Sequence, residues 1–207
     1  EGRPCWLRVE VADVRTQYRL PAVPERESGL VVASQREDRR AVELLEMTAA
    51  RELLRSAERR NGDLVLDGEP LTCERIKLAV EQAFTANGAF ADEFIVSHGA
   101  QTAVGHDMGS GAIAPDEPIC LDLFPRDRES GCFADMTRTF VVGEPSEELA
   151  EYHRLCHEAL ERSVAAIKAG VAGSDLNRLC CEIFEEAGFS YVRPKGMKNC
   201  VMRKEIP

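Results

Sequence analysis

The sequence predicts a mixed α/β (α+β) fold, and two observations carry the prediction. Hydrophobic spacing is helical from about residue 37, turns strand-like near Phe94 and becomes helical again after Ser146. The resulting order is helix–helix–strands followed by a second helix–helix pair, an internal repeat at the level of organisation. The composition permits a buried core: the chain has 207 residues, of which 44% are apolar.

The elements follow in order. Residues 1 to 35 read as the remnant of an earlier domain or a linker, with Trp6–Val11 alternating as a strand does and Leu30–Ala33 a second short strand. Val42, Leu45, Ala49, Leu53 and Ala57 then recur at helical spacing, which predicts one helix from about Glu37 to Arg60, stopped by Asn61-Gly62. Thr72 is placed to cap a second helix carrying Ile76, Val80 and Phe84 on one face, with Asn87-Gly88 closing it. Phe94–Ser97, Ile119–Phe124 and Phe133–Val142 are strand-like, the last two joined by a polar turn over residues 126–131. Gly99 to Gly111 is glycine-rich and reads as loop or tight bend. A third helix presents Leu149, Tyr152, Cys156, Leu160, Val164 and Ile167 and is stopped by Gly170. A fourth is capped by Ser174, carries Leu176, Leu179, Ile183 and Phe184, and stops at Gly188. Residues 190–207 form a basic tail without convincing strand alternation, and read as a non-native continuation or an early stop.

Charge and cysteine usage narrow the classes. A formal net charge of −10 argues against nucleic acid or an anionic membrane as the main partner. No apolar run approaches the roughly 18 residues of a membrane span. The chain begins Glu1-Gly2-Arg3-Pro4-Cys5, without initiator Met or secretory leader, and reads as a piece of a longer cytoplasmic product. None of the eight cysteines stands in a Cys-x-x-Cys pair, so reduced thiols are expected, with Cys180-Cys181 two ordinary helix positions.

The chemistry centres on two aspartates. Asp122 stands inside the apolar run Ile119–Phe124, and Asp135 at the start of the next strand-like segment. Aspartate is disfavoured in strands and is rarely buried unpaired. A hairpin turning near Arg128-Glu129 would set the two roughly opposite, facing the same way. Close carboxylates call for a proton or a cation between them, and hard oxygen ligands suit Mn²⁺, Zn²⁺, Co²⁺ or Mg²⁺. The plainer alternative pairs each aspartate with Arg126, Arg128 or Arg138. Thr137 and Thr139 share the face of Asp135 and are placed to orient ligands, or are simply good strand formers.

Four histidines complete the inventory. His98 and His106 flank the glycine-rich stretch, where a loop histidine can hold a substrate carbonyl or oxyanion, or else bond only to backbone or water. The glycines match neither a Walker loop nor a dinucleotide fingerprint. His153 and His157 stand four apart on a helix, a spacing that can chelate a metal, but the zincin glutamate is missing and two solvent-exposed histidines are the preferred reading.

Taken together, His106 in its Gly-His loop, Asp122, and the run Asp135-Met136-Thr137-Arg138-Thr139-Phe140 resemble the metallopeptidase M24, creatinase-like (pita-bread) superfamily, in its Xaa-Pro aminopeptidase and prolidase branch. The resemblance covers about residues 36–189 and implies a partial pita-bread catalytic domain: the first half and the helices of the second. It further implies two divalent metal ions (Mn, Co or Zn), with Asp135 bridging both and Asp122 holding one. His106 would contact substrate near the metals, and the metals would activate water for attack on a scissile carbonyl. The implied function is hydrolysis of N-terminal peptide bonds, with an N-terminal Xaa-Pro peptide as substrate. The family often dimerises, so a homodimer is the implied assembly. The 13-residue spacing of the aspartates is longer than usual in the family, with the extra length in the turn. The family's remaining His and two Glu ligands have no counterpart after His157, which predicts an incomplete and inactive chain. The alternatives are a non-catalytic pita-bread member that binds peptides or proteins, a creatinase-like amidinohydrolase, and a remnant that does not fold alone.

Overall fold

A computed structural model describes residues 6–9, 47–104, 106–129, 131, 133–192 and 201–203. They fall into two compact units that divide after Ser146. The predicted strand at Leu30–Ala33, the start of the first helix and most of the basic tail lie outside the described residues.

The first unit contains β1 (Trp6–Val9), helix α1 (47–56), a meander of β2 (Glu58–Arg60), β3 (Asp63–Leu66) and β4 (Glu69–Pro70), and helix α2 (Cys73–Ala86). After α2 come β5 (Ala89–Phe90), β6 (Ile95–His98), a 3-10 turn (Gly99–Ala103), β7 (Pro118–Leu123), β8 (Arg126–Asp127) and β9 (Met136–Val142). The main sheet is antiparallel, in the order β1-β9-β7-β6. One face of it is sealed by the helices. Met47, Ala50, Leu54 and Ala57 from α1 and its end, and Ile76, Val80 and Phe84 from α2, share one core with Val96 of β6 and with Ile119, Leu121 and Leu123 of β7. Phe84 meets Phe94 edge-on at 5.3 Å.

The helical reading of residues 37–60 is corrected at its end. The helix stops at 56, and Glu58–Arg60 pairs with Asp63–Leu66. Asn61-Gly62 is a hairpin turn rather than a helix stop: both residues have positive φ, 52° and 93°, as the tight two-residue turn matching strand twist requires. Asp67-Gly68 repeats the device, at 54° and 82°. The buried stripe of α1 is 47-50-54-57, with Leu53 at its margin. Helix α2 agrees with expectation: the Thr72 hydroxyl accepts from the Arg75 N–H at 3.3 Å and Asn87 closes the end.

The second unit holds α3 (Glu147–Ala166), α4 (Gly173–Glu186) and the antiparallel pair β10 (Ser190–Val192) and β11 (Val201–Arg203). Leu155, Ala159 and Ile183 are its buried centre, so α3 turns Leu155 and Ala159 inward rather than Cys156. Ser174 lies inside the first turn of α4, whose N-cap is Ala172 with no side-chain cap, which corrects the expected capping role. The 190–203 pair corrects the reading of the tail as lacking strands: three-residue strands are too short to show alternation. Gly188 does end α4, with Phe189 N–H returning to the Phe184 carbonyl at 2.9 Å.

Gly109, with φ of 76°, packs so tightly on β6 that an added Cβ would lie 1.8 Å from the Val96 carbonyl oxygen. Gly62, with φ of 93°, has open space around the same position. Chemical denaturation should therefore show Gly109→Ala losing about 3 kcal/mol or more and Gly62→Ala about 1 kcal/mol. Equal losses would mean that the loop does not lie against β6 in solution.

Candidate functional site

Strand β7 alternates between fully buried Ile119, Leu121 and Leu123 and half-buried Cys120 and Asp122. Since the helices hold the first set, Asp122 is delivered to the opposite face. Across from it, Asp122 pairs with Thr137 and Cys120 with Thr139 on β9, while Ile95 and Ser97 of β6 pair with Asp122 and Cys120 on the other side. Asp135 precedes Thr137 by two residues, so by strand parity it belongs to this face. The two aspartates are thus diagonal neighbours, not directly opposite as expected from a turn near Arg128-Glu129. The register is offset by two residues, which preserves the shared face; an offset of one would have reversed it.

The offset comes from the turn. Arg126–Asp127 leaves the hairpin to pair with Ala89–Phe90, and the chain returns through a bridge between Arg126 and Phe133. Ala134 N–H closes the return on the Pro125 carbonyl at 2.9 Å. The same detour engages two of the arginines considered as aspartate partners. Arg126 lies over the Phe133 ring at 5.6 Å, and Arg128 over the Phe90 ring at 5.1 Å. Arg138 donates to the Thr137 carbonyl at 2.7 Å. Asp122 instead accepts from the Thr137 hydroxyl at 2.6 Å.

His106 is exposed, with φ of 64°. Its loop doubles back along β6: Val96 N–H donates to the Met108 carbonyl at 3.2 Å. Because Val96 pairs with Leu121, the loop reaches the level of the residue next to Asp122.

His98 has a different task. Its Nδ1 lies 2.5 Å from Glu117 Oε1 and its Nε2 3.1 Å from the Ser110 carbonyl. Glu117 also accepts from the Ala114 N–H at 2.7 Å, and Gln101 holds Ser110 through both backbone groups. From the other side, Lys77 donates to the Gly109 carbonyl at 2.8 Å, and the Glu74 carboxylate accepts from Gly111 N–H at 3.1 Å. Bonds from its own backbone N–H and from that of Gly111 hold the Glu74 carboxyl below the usual carboxylate range. That contribution is present above the ordinary carboxylate pKa and is lost as pH falls below it. Sequence reasoning gave His98 no such role; its partner Glu117 lies 19 residues away, beyond any local pattern.

The donor set fits a hard divalent cation in part. Asp122, half-buried, and Asp135, exposed, are carboxylates on one sheet face, but among the described residues no three His, Cys, Asp or Glu side chains cluster as metal ligands. An ion held here would draw its remaining ligands from water or from other residues.

The loop clamp predicts a local effect. Glu117→Ala should speed amide exchange at Ala114 and Ser110 about tenfold or more while leaving the amides of α2 unchanged. Uniform acceleration would show global destabilisation instead of a loosened loop.

Comparison with known proteins identifies the family. The profile of metallopeptidase family M24 matches residues 40–200. The Xaa-Pro dipeptidase of Pyrococcus furiosus is 32% identical over 113 residues, which is 53% of this chain and 32% of that protein. The solved prolidase from Pyrococcus furiosus superposes with a TM-score of 0.61 at 26% identity, covering 76% of this chain and 44% of its own. An X-Pro aminopeptidase from Thermotoga maritima gives 0.58 at 26% identity, over 74% and 40%. The chain therefore spans about a third of the length of the curated relatives it matches. It belongs to metallopeptidase family M24, on the Xaa-Pro side of the pita-bread superfamily.

Proposed function

We propose that this chain carries the two-aspartate hairpin of a metal-dependent peptidase that hydrolyses N-terminal peptide bonds, with Xaa-Pro peptides as substrates. The observation that supports it is the sheet face shared by Asp122 and Asp135, with Thr137 bonded to Asp122. Asp135 would bridge two divalent ions, manganese, cobalt or zinc, and Asp122 would hold one. When bound, such ions supply a water activated for attack on a carbonyl. His106, on the loop beside β6, would bond the substrate or the developing oxyanion. The location we infer is the cytoplasm: among the described residues Cys73, Cys120, Cys156 and Cys180 are thiols outside any disulfide. Among the described residues no helix is long and apolar enough to cross a membrane.

Two carboxylates leave most of a coordination sphere to water, and the 207 residues alone should hydrolyse Xaa-Pro peptides weakly or not at all. A second reading, a non-catalytic peptide-binding member, is favoured by the lack of a third clustered ligand among the described residues.

Calorimetric titration with Mn²⁺ tests the first reading. Asp122→Asn and Asp135→Asn should each abolish binding, and Thr137→Val should weaken it about tenfold or more by freeing the Asp122 carboxylate. Mn²⁺ binding unchanged in the double aspartate variant would sink the metal assignment. Peptide binding insensitive to chelator would favour the second reading.

A further inference from the structure

The second unit carries a histidine pair that the proposed function does not use. Helix α3 carries His153 and His157, four residues apart and on one face. Their ring centres are 6.1 Å apart and the planes are inclined at 50°. An ion at about 2.0–2.1 Å from one nitrogen of each ring sits roughly 3 Å from each ring centre. The rings therefore need close only by about 1 Å, within rotamer adjustment, to share it at a tetrahedral angle.

Two further features distinguish this pair from ordinary surface histidines. His153 Nε2 is buried and finds no hydrogen-bond partner among the described residues. Such an atom normally has a partner, so its orphaning calls for an explanation. Burial first, and the neighbouring His157 second, hold His153 below the usual histidine range, so its imidazole is neutral and available as a ligand at pH 7. His157 is exposed. The nearby arginines bond carboxylates: Arg154 bonds Glu151 and Glu158, and Arg162 bonds Glu158.

We propose that His153 and His157 form a two-imidazole chelate for a borderline divalent ion, Zn²⁺, Ni²⁺ or Cu²⁺, that uses neither aspartate, with water completing its coordination. Imidazole nitrogen suits these ions, whereas the carboxylate face suits the harder Mn²⁺. The sequence alone favoured two solvent-exposed histidines; the orphaned nitrogen and the ring geometry favour the chelate.

The test uses the full 207-residue chain carrying Asp122→Asn and Asp135→Asn, so that the first face is silent and the outcome is independent of the peptidase reading. Cu²⁺ titration followed by electron paramagnetic resonance should show one ion ligated by two imidazole nitrogens. His157→Gln should weaken Cu²⁺ binding at least tenfold and reduce the signal to one nitrogen, and His153→Gln should do the same. His157 is exposed, so its variant should keep the parent circular dichroism; if His153→Gln unfolds, the His157 variant decides alone. A signal without two nitrogens, or affinity unchanged in His157→Gln, overturns the proposal.

Discussion

The two-residue alternation of β7 under a helical cover is the constraint on which the site depends. Ile119, Leu121 and Leu123 are held in one core with α1 and α2, and they cannot leave it without exposing large apolar surface. Their burial fixes the strand's rotation, and that rotation alone decides that Asp122 faces away from the core. The site is thus oriented by hydrophobic packing on the other side of the same strand. Polar interactions then refine it: the Thr137 hydroxyl restrains one carboxylate without neutralising it.

The glycine-rich loop shows a second division of labour. Its turn conformation comes from local chemistry, but its position along β6 comes from residues far away in sequence. Lys77 and Glu74 reach it from the first turns of α2, and His98 and Glu117 from β6 and the approach to β7. Each interaction satisfies a backbone group or a half-buried side chain that would otherwise lose its hydrogen bonds. The loop can therefore carry an exposed residue such as His106 in a left-handed conformation, because the residues after it are held from two sides.

What the sequence revealed follows the range of the forces involved. Thr72, Ile76, Val80 and Phe84 were legible because cap and stripe lie within one helix. The β7–β9 hairpin was legible because both strands are strongly patterned, and the shared face of the aspartates survived a two-residue error in register. The meander at 58–70 was missed because Asn61-Gly62 suits a helix end as well as a hairpin, and only the pairing of Glu58–Arg60 with Asp63–Leu66 distinguishes them. The turn of α3 toward Leu155 was missed because its apolar residues cover too much of the helix for periodicity to select one stripe. The His98–Glu117 pair was invisible for the reason common to non-local contacts: neither partner's neighbourhood specifies the other.

The aspartate face has an internal tension that argues for its use. Aspartate weakens a strand, and two carboxylates on one face repel. The described partner of Asp122 is a neutral hydroxyl, while Arg126 and Arg128 at the turn are drawn to aromatic rings. A strand selected for stability alone would carry threonine or valine at that position, or turn an arginine toward the acid. Placing an aspartate bonded to a hydroxyl on one face while the opposite face is packed to closure separates the two tasks of β7: one face supplies the stability that the other gives up.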